Sequence, residues 1–129
     1  MSCSSHLPEA YISHTEHASG IIGGVSYRIA RMSFARRLEL IRKVRDYAQR
    51  IEFLEAGSEA KDQFERSVLG AEIDRLYLEW GLLSVEGLTI DGETASPALL
   101  IDKGPELLAR EIVGRIRAEC HLSEDERKN

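Results

Sequence analysis

The chain has 129 residues, enough for one domain. Its 43% hydrophobic and 30% charged content is that of a globular protein, and with 6% aromatic residues the core has to come mostly from Leu, Ile, Val and Ala. No apolar run approaches the roughly 18 residues of a membrane span, and residues 1 to 20 hold no apolar segment behind positive charge, which argues against a transmembrane helix and a secretory signal.

Residues 1 to 20 are rich in Ser and His, contain Pro8 and Gly20, and show no period. They read as a disordered tail, which leaves 21–129 as a single small helical domain. Ile21 to Ser33 carries β-branched and aromatic residues, and Val25, Tyr27 and Ile29 alternate with Ser26 and Arg28, the pattern of a short strand with one buried face. Ser33 is an N-cap candidate for a helix from Phe34 to about Glu55. Phe34, Leu38, Ile41, Val44, Ala48 and Ile51 follow at steps of three and four and predict its apolar stripe. Glu39–Lys43, Arg42–Asp46 and Asp46–Arg50 are spaced to pair along the other side, which leaves Arg36, Arg37 and Arg45 without local partners.

Gly57 is suited to end this helix and Ser58 to cap the next, with Glu59 favourable in its first turn. The second helix is expected to reach Trp80 and stop at Gly81, with Phe64, Val68, Ala71, Ile73, Leu76, Tyr77 and Trp80 inward. So short a link predicts an antiparallel helical hairpin. Leu82 to Thr94 reads as extended structure, with Asp91-Gly92 as a two-residue hairpin turn. Ser96 before Pro97 starts a small helix that stops by Gly104. Pro105 opens a further helix to about Cys120, with Leu108, Ile112 and Ile116 inward and Glu106–Arg110 and Glu111–Arg115 outward. Ser123 with Glu126 has capping-box spacing for one last turn. The fold class is therefore mostly α (α+β): an N-terminal strand, an antiparallel helical hairpin, a short β-turn segment and C-terminal helices.

The net charge of −5 is unevenly spread. Residues 28 to 50 hold eight bases against Glu39 and Asp46, while from Ile51 onward eighteen acids outnumber nine bases. Either the two parts neutralise each other on folding, or the basic helix presents a face to a partner. As a nucleic-acid surface the helix is interrupted by acids, and no helix-turn-helix spacing accompanies it.

His6, His14 and His17 lie in the tail with Cys3, without a rigid frame to fix a metal's ligands, and His121 falls just past a helix end, so no metal site is expected. Cys3 and Cys120 make no disulfide framework and fit a reducing cytosol. No carboxylate pair sits in the apolar surroundings that acid–base catalysis needs, no serine has a nucleophile-elbow setting, and Ile22-Gly23-Gly24 lacks the lysine and hydroxyl of a phosphate loop. Neither an enzyme nor a cofactor is expected.

The run Trp80-Gly81-Leu82, then Val85-Glu86-Gly87-Leu88-Thr89-Ile90-Asp91-Gly92, then Ala95 to Leu100, resembles small proteins encoded in the tail-gene region of tailed phages and prophages, described as tail assembly chaperones. The resemblance spans roughly residues 28 to 129. It implies a non-enzymatic protein that binds the tape-measure protein, and in some cases tail-tube subunits, in the host bacterial cytoplasm and is absent from the finished virion. Some such families also make a longer form by frameshifting. The partner-binding residues expected on the physical reading are the bases Arg36, Arg37 and Arg45 together with Trp80, Leu82, Leu88 and Ile90, with self-association left open. The alternative is a small phage-derived nucleic-acid-binding regulator that uses the basic helix 34–55.

Overall fold

A computed structural model describes residues 9–55 and 59–128. The chain runs β1 (His14–Ala18), β2 (Ser26–Ala30), α1 (Phe34–Glu55), α2 (Ala60–Gly81), β3 (Leu82–Glu86), β4 (Thr89–Ile90), β5 (Glu93–Thr94), α3 (Pro97–Lys103) and α4 (Glu106–Lys128). This is the mostly helical α+β architecture that the sequence pattern predicts. Among the described residues no helix is long and apolar enough to cross a membrane.

The first correction lies at the N-terminus. His14–Ala18, assigned by sequence to a disordered tail, is a strand paired antiparallel to β2, with Glu16 opposite Arg28 and His17 opposite Tyr27. The tail was misread because this strand is polar and carries no apolar alternation: it lies at a sheet edge and needs no second buried face. β2 is the central strand, with β3 on its other side. Ser26 faces Glu86 and Arg28 faces Ser84, after which the register shifts and Ile29 faces Leu82. That bulge lets Leu82 and Val85, three apart, both point into the core while Leu83 between them stays exposed. Gly24 and Gly87 cross where β2 begins and β3 ends. Both have positive φ, and a Cβ on Gly87 would lie 2.0 Å from the Gly24 carbonyl oxygen, so position 87 admits only glycine.

Val25, Tyr27 and Ile29 are buried as their alternation predicts, and α4 supplies the opposite wall through Leu108, Ile112 and Ile116, none of which has any exposed surface. Ser33 caps α1, accepting from the Arg36 amide at 3.2 Å. Ser96 caps α3, accepting from the Leu99 amide at 3.2 Å, with Pro97 in the first turn. Asp91 and Gly92, both at positive φ, form the turn between β4 and β5.

Other expectations change. The proposed helix end at Gly57 and cap at Ser58 lie outside the described residues, and α2 starts after Glu59, whose side chain makes no capping bond. α4 runs without interruption to Lys128, so His121 is not past a helix end and the Ser123–Glu126 spacing starts no separate turn. The buried row of α1 shares only Val44 and Ile51 with the predicted stripe. Leu40 is buried, and Val44, Tyr47, Ile51 and Leu54 are half-buried behind it at steps of three and four. Phe34, Leu38, Ile41 and Ala48 of the predicted stripe are exposed. α1 carries two apolar rows, and a helix packed chiefly on one neighbour, α2, covers only one of them. In α2 the predicted inward set divides: Trp80 is buried and Ile73, Leu76 and Tyr77 are half-buried, with Leu69 and Leu78 buried beside them, while Phe64, Val68 and Ala71 face solvent.

Candidate protein-binding surface

The expected contact block around Trp80 turns out to be structural. Antiparallel pairing brings the first turn of α1 to the last turn of α2, where Trp80 is only 5% exposed and Leu82 and Ile90 are buried in the same core. Leu88 is half-buried and packs on that core. The guanidinium of Arg36 lies 4.5 Å from the Trp80 ring centroid, donates to the Trp80 carbonyl oxygen and lies 3.9 Å from Glu39. α2 has no basic residue of its own in its last turn, so Arg36 brings a cation from the neighbouring helix to the negative end of the helix dipole and to a carbonyl that α2 leaves unpaired. Trp80, Leu82 and Ile90 are thus sealed inside, and Arg36 is committed to holding the hairpin's base. Arg37 is half-buried. Of the predicted bases, Arg45 alone stands exposed.

A second polar cluster, not expected from the sequence, fastens the β1–β2 turn to α4. Glu111 accepts from the Ser19 hydroxyl at 2.9 Å, the Gly20 amide at 3.0 Å and the Tyr27 hydroxyl at 3.0 Å. Arg115 donates to the Tyr27 oxygen at 2.9 Å instead of pairing outward with Glu111. Burial pushes the Glu111 carboxyl up, but the bonds from Gly20, Ser19 and Tyr27 and the charge of Arg115 outweigh it and hold its pKa below the ordinary value. Burial, and then Arg115, lowers the pKa of His17, whose ring lies 5.9 Å from that of Tyr27; Glu111 opposes them. Burial and the bond to Glu111 raise that of Tyr27. His14 and His17, three apart on an extended strand, point to opposite faces and cannot share an ion. Among the described residues no group of His, Cys, Asp and Glu could hold a metal.

What the molecule does expose is apolar surface on its helical hairpin. At the end far from the sheet, Phe53 on α1 is 82% exposed and Phe64 on α2 is 70% exposed, with Val68 exposed one turn further. Beside them an open groove of about 670 Å³ runs between the two helices, floored by Leu54 and Leu69 and edged by Asp46, Arg50 and Glu65. A second open groove, of about 620 Å³, lies between α2, α3 and α4, floored by Leu78, Ile101 and Val113. Asp74 on its rim pairs with Arg117 at 2.7 Å, and Arg117 also stacks on Tyr77, 4.4 Å from the ring centroid, tying α4 to α2. Glu106–Arg110 pairs outward as predicted, at 2.7 Å.

Exposed aromatic residues are what sequence reasoning missed. Phe64 and Val68 sit at helical spacing that reads as core, Phe53 falls outside the predicted row of α1, and the placement of the neighbouring elements leaves all three exposed among the described residues. Comparison with family models, with curated proteins and with solved structures finds no match to this chain.

Proposed function

We propose that the protein acts without catalysis, as an assembly chaperone of the phage-tail kind that holds an apolar helical segment of a tail protein, such as the tape measure, during morphogenesis in the host bacterial cytoplasm. One observation carries this reading: Phe53 stands exposed on the lip of an apolar-floored groove in the far half of a helical hairpin, with Phe64 and Val68 exposed on the hairpin's second helix. Exposed aromatics around a groove with a charged rim are the chemistry of helix-in-groove recognition. The resemblance of residues 28 to 129 to tail-region proteins supports the same reading, as does the acidic surplus from Ile51 onward, which keeps a complex with an apolar client soluble. The interaction surface moves from the tryptophan block to the far half of the hairpin.

Co-expression with a tape-measure protein of a tailed phage tests this. The client is expected to become soluble and to co-purify with the wild-type chain, and a Phe53→Ser/Phe64→Ser variant to lose that capture at least tenfold while keeping its helical content. A client that stays insoluble beside the wild-type protein overturns the reading. Arg36→Glu/Arg37→Glu is expected to disturb the hairpin base, so Arg45→Glu is the cleaner test of the arginines. Duplex DNA binding that weakens steeply with salt would instead support the regulator built on helix 34–55.

A further inference from the structure

Two surfaces of this chain complement one another. On the first half of α1, Phe34, Leu38 and Ile41 follow at steps of four and three, and all three are exposed, Phe34 at 86%. Arg45, four residues after Ile41, continues the row, and Arg42, four after Leu38, flanks it. Both are exposed, and among the described residues neither makes a hydrogen bond or ion pair. Along Phe34, Leu38, Ile41, Arg45 and Ala48 no acid intervenes; Asp46, four residues after Arg42, lies beside the row, and Glu39 turns to Arg36.

The groove between α2, α3 and α4 has the opposite character. Its walls include the small side chains of Ala71, Ala98 and Ala109, which leave room for another helix to lie close above Leu78, Ile101 and Val113. Four acids line it against two bases, Arg75 and Arg110; each base is bound to a groove acid, Glu79 or Glu106, and Asp74 pairs with Arg117 from α4. Asp102 is exposed and makes no ion pair among the described residues. A short basic amphipathic helix fits such a groove, and this chain supplies one at equal concentration with itself.

We infer that the protein self-associates, with the Phe34–Leu38–Ile41 row of one copy seated in the α2–α3–α4 groove of a second and Arg42 and Arg45 meeting that groove's acidic rim at Asp102. A reciprocal exchange closes the pair with twofold symmetry and covers both surfaces. The surface around Phe53 and Phe64 takes no part and stays open to a client, so the pairing stands apart from the proposed function.

Sedimentation of the full chain from about 1 μM to about 0.1 mM is expected to show a monomer–dimer equilibrium. Arg42→Glu/Arg45→Glu on the row, and Ala98→Arg/Asp102→Arg on the groove, change exposed helical side chains only, so circular dichroism is expected to stay unchanged. Each is expected to weaken the dimer at least tenfold. Combining all four substitutions in one chain reverses both surfaces and is expected to regain at least tenfold over either pair alone. A wild-type chain that stays monomeric over that range overturns the inference. So does a groove variant that dimerises as tightly as wild type, which would mean that row pairs with row, and so does a combined variant that regains nothing. Loss of client capture by the row variant of a monomeric protein would assign the row to the client instead.

Discussion

Where α4 lies under the sheet, Leu108, Ile112 and Ile116 are fully enclosed, whereas at the far end of the hairpin Phe53 and Phe64 stand in water on helices at least as rich in apolar residues. The difference is the number of neighbours. Tyr27, Ile29, Val85 and Leu100 close over α4 from strands and helices that come from distant parts of the chain. α1 is packed chiefly on α2, and α3 and α4 lie against the stretch of α2 from Ala71 onward. One region therefore holds the fold, and the other is held by a single helix–helix seam and is free to meet something else.

Substituting the enclosed side tests the contrast most severely. Ile112→Ala removes three buried carbons from a site with no exposed surface, and about 2–5 kcal/mol of stability is expected to go with them, read as a lower denaturant midpoint at unchanged slope. Gly87→Ala is expected to follow closely. It sets a Cβ against the Gly24 carbonyl at positive φ, and about 1–3 kcal/mol of backbone strain is expected before any shift of the strands is counted.

The Glu111 cluster comes next and has a pH signature. Its carboxylate has a lowered pKa, so its contribution is present at neutral pH and is lost as pH falls through the folded value. His17 also lies below its ordinary 6.5; the unfolded chain takes up that proton first, and stability begins to fall as pH drops below about 6.5. Tyr27 is raised, so its contribution holds below its ordinary 10.0 and is lost only in alkali. Acid titration of the unfolding free energy is expected to show two stages. His17→Gln removes the first, and Glu111→Gln removes the second at a loss of about 1–2 kcal/mol at pH 7. A single stage that survives both substitutions would mean that other carboxylates govern acid stability.

These two regions also differ in how much the sequence discloses. Around α4 the apolar spacing was unambiguous: Leu108, Ile112 and Ile116 form one row, the caps at Ser33 and Ser96 and the Asp91-Gly92 turn obey local chemistry, and each appears where expected. In α1 two rows compete, Phe34–Leu38–Ile41 and Leu40–Val44–Tyr47, and the choice depends on which side α2 takes, a tertiary fact that helical spacing alone does not contain. Strand β1 was missed because an edge strand needs no apolar face, and the Glu111 bonds because they join residues more than eighty apart in sequence. The tryptophan lies at a helix end as expected, but the cation stacked on it, Arg36, comes from forty-four residues earlier.

At the base of the hairpin, Arg36→Gln keeps a donor and removes the charge. A loss of about 1 kcal/mol is expected from the stacking on Trp80 and the interaction with the helix end, together with a red-shifted tryptophan emission as water reaches the indole. Arg36→Lys is expected to recover only part of this, since an ammonium lacks the planar fork that covers the ring and reaches the carbonyl together. Unchanged emission in both variants would show that the indole is enclosed without help from α1.

The smallest effect on stability is expected where the side chains are largest. Phe53→Ser and Phe64→Ser remove aromatic rings that touch little of the protein, so each is expected to change the unfolding free energy by no more than about 0.5 kcal/mol. Neutrality is the informative result, because it separates aromatics kept for folding from aromatics kept for contact. A ring that contributes nothing to the fold and exposes apolar area in water carries a solubility penalty with no internal return, and a partner that covers it supplies the missing return. Solubility of the free protein is accordingly expected to rise in the double variant while capture of a client falls. Should either serine variant instead unfold the chain at ordinary temperatures, the far end of the hairpin would belong to the core after all, and the contrast between the two regions would disappear.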